Sequence, residues 1–261
     1  MIHKISKFFV IVLLLLGGNK TFSQSGVFSD GEELIYDVYY SFINIGWAKF
    51  NTTREIGKKN VYKCEAVLKS NEALPFVTVD FYFVSEIEVL DNYTRPLHFT
   101  SKEFKNGKAS ILIYDFHYDS SFVYIKKTGY EGQLEYEKRM PLTTVFQDGL
   151  SIFYFARFNF FSNKSVDVPV IINQDSSSIH INYNTSKTDV DIDEVDYDIS
   201  SVHLEGNTQY QFVFGLTGDF SGWFSNDAAR IPLKAKLKVK IGNITLELKG
   251  WKRQGWNPPQ Y

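Results

Sequence analysis

Sulfur and proline are scarce in this chain, whose 261 residues hold one cysteine, two methionines and seven prolines. A lone Cys64 can form no internal disulfide, no Cys-x-x-Cys redox pair and no cysteine zinc set. It stands between Tyr62 and Ala66 in a strand-like stretch, so a small buried hydrophobe is its expected role, not a reactive thiol. So few methionines argue against an adaptable Met-rich surface, and so few prolines against a Pro-rich linker. A basic excess is missing as well, with 28 Lys and Arg against 30 Asp and Glu. That disfavours nucleic acid and anionic membrane surfaces as partners, since both reward basic patches. No Gly-rich phosphate loop and no Gly-x-Ser-x-Gly elbow occurs, and no cofactor signature is present.

Long apolar runs are also lacking. The longest, Phe8 to Leu16, falls short of the roughly 20 residues that a membrane-spanning helix needs. Lys4 and Lys7 precede it, and a small, polar stretch from Gly17 to Ser23 follows. This order reads as a secretory signal over residues 1–23, cleaved after Ser23. No cysteine follows the run, so the usual lipid-attachment site is absent. The expected destination is the periplasm or another envelope-associated compartment, with no transmembrane segment in the mature chain. Losing Lys4, Lys7 and Lys20 leaves 25 basic against 30 acidic residues, a net charge near −5.

What remains is aromatic and strand-forming. Phe and Tyr number 23 and 16, and flat rings pack well on a pleated surface. Leu34, Tyr36, Val38 and Tyr40 share one face of an opening strand. Turn signals then recur about every 8–12 residues, as in an antiparallel meander that curls. Asn106-Gly107 and Asp119-Ser120-Ser121 are among them. Gly46 inside an apolar stretch predicts a bulge. The exception to the meander is Phe146 to Phe161, where Asp148 can cap a helix and Leu150, Phe153, Tyr154 and Phe158 recur at helical spacing. Apolar residues on its other sides call for enclosure. The expected fold is therefore mainly β, a curved antiparallel meander forming a barrel or half-barrel around one internal helix at about 146–161. Residues 24–261 read as one domain, with a tail at 254–261 that lacks any period and is expected to be loose.

The last hairpin is the plainest pattern in the chain. From Leu233 to Ile241 apolar residues alternate with Lys234, Lys236, Lys238 and Lys240. Gly242-Asn243 reads as a two-residue turn. That register sets Leu237 opposite Leu248 and Lys238 opposite Glu247, and it leaves Lys236 opposite Lys249 as the one poor pair, which costs little at a solvated strand.

Three stretches together resemble a family of exported bacterial proteins known as domain of unknown function 3108. They are Gly31-Glu32 with Leu34, Tyr36 and Gly46; Gln147-Asp148-Gly149-Leu150-Ser151 with Tyr154 and Arg157; and Trp223 to Pro232 with Ile241-Gly242. The resemblance implies a β-rich envelope protein and brings no reaction and no catalytic residues. One departure is the acidic run at 189–198, where family members more often have a Gly-containing turn and a short strand.

Candidate sites were weighed by residue chemistry. Asp227 and Arg230 lie three apart, suited to a clasp that fixes the entry to the last hairpin. Arg230, with Arg157 and Trp223, is also a candidate ligand contact. Asp115, His117 and Asp119 share one strand face, but their spacing of about 7 Å without a second His or Cys cluster favours a solvated polar face over a metal site. Asp189, Asp191 and Asp193 suggest a calcium loop, yet Glu194 and Ser200 stand where such a loop needs Gly and Glu. A bulged strand with a charged outer face fits that run better.

The reading that follows is a non-enzymatic exported binding or envelope-assembly protein. Its candidate cargo is an apolar or amphipathic small molecule. Two alternatives stay open, a structural module that binds another envelope protein and a carbohydrate-active hydrolase. Export is directly testable: N-terminal sequencing of the soluble protein from its native cell is expected to begin at Gln24 or within a few residues. An intact Met1 would rule the signal out.

Overall fold

The computed structural model describes residues 26–74, 78–208, 218–239 and 242–261, so the apolar leader lies outside the described residues. Eight strands come first: β1 (Glu32–Tyr40), β2 (Ile43–Arg54), β3 (Val61–Ser70), β4 (Asp80–Val89), β5 (Thr94–Lys105), β6 (Lys108–His117), β7 (Phe122–Thr128) and β8 (Leu134–Pro141). Helix α1 (Ser151–Phe158) follows, then β9 (Lys164–Ile172), β10 (Asp175–Val190), β11 (Ile199–Thr208), β12 (Gly218–Ser225), β13 (Pro232–Lys238) and β14 (Asn243–Lys252). All fourteen form one antiparallel sheet in the order β8 to β1, then β14 to β9. Each half is a plain meander. They join where β1 pairs with β14, from Glu33↔Lys252 to Tyr40↔Ile244, so α1 links the two outermost strands.

Alternation decides what faces inward. Leu34 and Tyr36 on β1, Ala48 and Phe50 on β2, Phe83 and Ile87 on β4, and Val123 and Ile125 on β7 are buried in one large cluster. A smaller cluster gathers Val168, Val170, Ile179, Ile181, Val202, Leu204 and Phe224 from β9 to β12. Helix α1 lies between the two. Tyr154 and Phe158 belong to the first, while Ile152, Phe155 and Ala156 pack on the second. The expected fold, a curved β-meander around an internal helix, is what the chain adopts. Gly46 sits at the expected irregularity: Val38 pairs with Gly46 but Tyr39 with Asn44, leaving Ile45 as the extra residue. A side chain at Gly46 would press within 2.2 Å of Lys69 O, so only glycine allows β3 this close.

Four local expectations are corrected. The helix covers 151–158 and not 146–161. Before it, Gln147 is extended and bonds β9 through Pro169 O and Ile171 N (2.8 and 2.9 Å). After it, the Asn159 side chain caps the Phe155 carbonyl at 3.0 Å. The acidic run 191–198 is a loop between β10 and β11, not a bulged strand; buried Ile192 joins the large cluster, with Val195 and Tyr197 packed against it, so its apolar residues anchor it. The tail is tied down and not loose. Pro259 O accepts the Ser200 N–H (2.7 Å) and the Tyr261 N–H reaches Asp198 O (2.8 Å).

The fourth correction is the register of the last hairpin. Lys234, not Lys238, faces Glu247, and Leu237 faces Ile244. The shift is by an even number of residues, so every side chain keeps its face. It brings Lys234 Nζ to 2.9 Å from Glu247 in a half-buried pair and sets Lys236 against Thr245, which removes the Lys236–Lys249 opposition of the tighter turn. A double-mutant cycle in urea should therefore give a coupling of about 0.5–1 kcal/mol for Lys234 with Glu247. Lys238 with Glu247 should give none; the reverse result would restore the two-residue turn.

Candidate functional site

The three sequence stretches meet at one buried point. Gly31 takes φ 75°, a conformation open to glycine, and so turns the chain into β1. Glu32 is then the first inward residue of that strand, 2% exposed. Its carboxylate accepts a paired bond from Arg157, Nη1 to Oε1 at 2.7 Å and Nη2 to Oε2 at 3.0 Å. Arg157 is fully buried, and its Nη2 also reaches Val27 O (3.0 Å) and Ala229 O (3.1 Å). Arg253, at the end of the last strand, donates to Glu32 Oε2 as well and to Gly26 O. Two cations thus share one carboxylate and main-chain carbonyls accept further bonds, while the buried Arg157 Nε–H has no hydrogen-bond partner among the described residues. Burial works against the Arg157 charge, but the Glu32 carboxylate outweighs it and holds the guanidinium above its ordinary pKa.

Asp148 organises the start of α1. Its Oδ1 accepts the N–H groups of Leu150 (2.8 Å) and Ser151 (2.7 Å). Ser151 Oγ accepts the Asp148 N–H in return at 2.8 Å, a reciprocal cap. Oδ2 takes the Ser85 hydroxyl at 2.7 Å, which ties the helix to β4. Burial pushes the Asp148 carboxyl up to about 6, against the pull of these hydrogen bonds.

The loop 226–231 is a clasp built differently from the sequence expectation. Asp227 Oδ1 accepts the Ser225 hydroxyl (2.8 Å) and the main-chain N–H groups of Ala229 (2.9 Å) and Arg230 (3.2 Å). Its Oδ2 takes Trp256 Nε1–H at 2.7 Å. The Arg230 guanidinium donates to Phe160 O (2.9 Å), Ser225 O (3.1 Å) and Asn226 Oδ1 (3.1 Å). Asp227 and Arg230 therefore meet through main chain, and Arg230 stitches the loop to the end of the helix. Burial lowers its pKa to about 10, so it stays charged at neutral pH.

Of the candidate ligand contacts, Arg157 and Arg230 come together on the same helix–loop junction. Trp223 stands apart, against His203 (4.7 Å between ring centroids) and under Lys236. Asp115 pairs across the sheet with His98 Nδ1 at 2.6 Å, while His117 stacks on Phe122. No group of three His, Cys, Asp or Glu suited to a metal occurs among the described residues. Cys64 is fully buried, and that burial drives its thiol pKa far up. Two open surface clefts were found. One of about 410 Å³ is lined by Asp30, Arg54 and the 55–59 turn; the other, about 450 Å³, is a polar trough with Glu205, Asp219, Lys236 and Lys238 on its walls. Sequence reasoning missed Glu32 and Arg253. An acid sharing the face of Leu34 and Tyr36 was the available signal for the first, and the second had none.

A family model described as a protein of unknown function, DUF3108, matches residues 35–249. The chain belongs to the DUF3108 family. No curated protein matches it. Among solved structures it is similar to a β-barrel-like protein of domain of unknown function DUF1849 from Brucella abortus, at 8% identity and TM-score 0.54, with 86% of this chain and 98% of that one covered. A protein of YmcC-like fold from Bacteroides fragilis aligns at 9% identity and TM-score 0.33 over 89% and 99% of the two chains. The first likeness is one of fold alone. No helix of the described residues in this DUF3108 protein is long and apolar enough to cross a membrane.

Two predictions test the node and the cap. Glu32→Gln leaves two cations facing a neutral amide and should cost about 3–5 kcal/mol in urea denaturation. Arg157→Gln should cost a similar amount, with the double change far from additive. Additive losses would mean that the pair does not form. Asp148 has a folded pKa raised above the ordinary 3.9, so its contribution is fully present below that pH and is lost as pH rises through about 6. Asp148→Asn keeps Oδ1 for the helix N–H groups and cannot ionise. Its stability relative to the parent should rise between pH 4 and 7 by up to about 3 kcal/mol; a flat difference would refute the raised carboxyl.

Proposed function

We propose that this chain is a non-enzymatic exported protein of the cell envelope that acts as a scaffold or assembly module and engages its partner with the outside of the sheet. The observation that supports this most is how its internal polar groups are used. Glu32, Arg157, Asp148 and Arg230 are the side chains with the strongest chemical potential in the interior, and each is hydrogen bonded to protein. The space between the two apolar clusters is occupied by α1, with Tyr154, Phe158 and Phe160 each 1% exposed or less. An interior filled in this way favours a scaffold over a carrier of an apolar or amphipathic molecule.

The reading is tested by cell fractionation with organic extraction and mass spectrometry of the purified protein, plus titration with a fluorescent fatty acid. Recovery from the periplasmic or envelope fraction, an empty extract and no saturable signal are expected. A stoichiometric lipid in the extract would replace the scaffold with a carrier, and recovery from the cytoplasm would end the envelope reading.

A further inference from the structure

Both ends of the sheet carry charge, and the end that bears the β1–β2 connection includes the Lys108–Glu131 and Lys238–Asp219 pairs; the connection itself is the exception. At one end lie the acidic loop 191–198, the turn Arg54-Glu55-Ile56-Gly57-Lys58-Lys59 and the Asp91–Arg95 turn. At the other, the β1–β2 connection lies within residues 38–48, which carry no charged side chain in a chain that is 22% charged. In sequence, residues 73–79 and 206–218 are likewise free of charge. The first is tied to β2, since Asn71 Nδ2 donates to Asn44 O at 3.2 Å. The second leaves and re-enters the sheet at Thr208↔Gly218.

The β1–β2 tip projects apolar residues into solvent. Phe42 is 86% exposed and Ile43 44%, next to Ser41, whose φ of 57° makes the turn. Tyr40 (36%) is paired with Ile43, and Trp47 (37%) lies four residues further along β2. Isolated exposed hydrophobics need no explanation, but a contiguous group on a charge-free tip does. Its order is also informative. Phe42 is outermost, Tyr40 stands level with Ile43 and Trp47 lies further along β2, so no ring with a polar handle precedes the apolar tip, as on passing from hydrocarbon to headgroups. The tip is convex and would offer a protein partner no pocket, whereas a bilayer yields around it.

We propose that the Tyr40–Trp47 hairpin is a membrane-docking tip that inserts Phe42 and Ile43 at the acyl–headgroup boundary of a phospholipid bilayer. This goes beyond the scaffold reading by naming the surface and its partner. It can fail on its own, because vesicle binding by purified protein does not depend on the compartment. Docking is driven by apolar burial and so is insensitive to salt, in keeping with the acidic net charge.

The soluble protein isolated from native cells would be sedimented with vesicles of phosphatidylethanolamine and phosphatidylglycerol. Parent protein should pellet with the lipid at both low and high salt. Phe42→Ser with Ile43→Ser should lower the partition coefficient about tenfold or more without moving the thermal midpoint, since neither side chain is buried. Ile56→Ser at the opposite end, where the residue is 97% exposed, should change nothing. Brominated lipid should quench tryptophan emission in the parent and not in Trp47→Phe. Absence of parent protein from the lipid pellet, binding lost at high salt, an equal loss from Ile56→Ser, or a tip-dependent dimer that binds no lipid would each overturn the proposal.

Discussion

The buried contact between Glu32 and Arg157 is the constraint on which the rest of the arrangement depends. It joins the first strand to the only helix among the described residues, and through Arg253 and the Ala229 carbonyl it reaches the end of the last strand and the loop before the final hairpin. These are the places where two separate meanders must be brought into one sheet. The β1–β14 pairing that joins them is as non-local as the chain allows; the Tyr36 hydroxyl bonds Pro232 O across 196 residues of sequence. Contacts of that separation form late and at a high entropic cost. A fork-shaped cation that accepts only one geometry gives the closure a defined end point.

The choice of an ionic group for this position has a physical logic. Apolar residues of equal volume often match or exceed a buried ion pair in stability. They impose no direction, however. Arg157 satisfies a carboxylate and two carbonyls from three different segments at once, so a sheet closed one residue out of register would leave charge uncompensated in the interior. Asp148 and Asp227 follow the same rule. Each carboxylate is used to hold main-chain N–H groups, and each lies in one of the stretches that mark the family. In this chain those stretches thus form a set of junctions.

Period-2 alternation made most of the fold legible in the sequence. Leu34, Tyr36, Ala48 and Phe50 face inward as their spacing says, and Gly46 sits at the irregularity that a glycine in a strand implies. The errors all arose where alternation gives no information. An even register shift in the last hairpin keeps every face, so only the charge opposition of Lys236 and Lys249 could have argued against the two-residue turn. The helix ends were misplaced because Phe146 before the helix and Phe160 and Phe161 in the turn after it are apolar for reasons of packing, which helical spacing cannot separate from a helix face. The tail was misread because its hydrogen bonds to Asp198 and Ser200 are main-chain contacts, invisible in residue type. At the site, Arg157 and Arg230 were singled out as candidate ligand contacts, and both hydrogen bond to protein groups; a lone cation in an apolar stretch signals a buried partner as strongly as an open pocket.

Burying the motif residues sets them apart from the outer surface, and that surface is not uniform. Connections at both ends hold paired charges, as Lys58 is with Glu86 and Lys108 with Glu131, each at 2.6 Å, a pattern that keeps a sheet soluble and blunts unwanted pairing. The β1–β2 tip carries no such protection. Because β1 and β2 sit at the middle of the fourteen-strand order, next to the seam that closes the sheet, a force applied at that tip is borne by the best-supported strands in the molecule. The buried node lies at the far end of the same strand, at Glu32. One strand thus carries both the internal lock and the most exposed apolar side chain of its hairpin, and this places rigidity directly behind the surface available for contact.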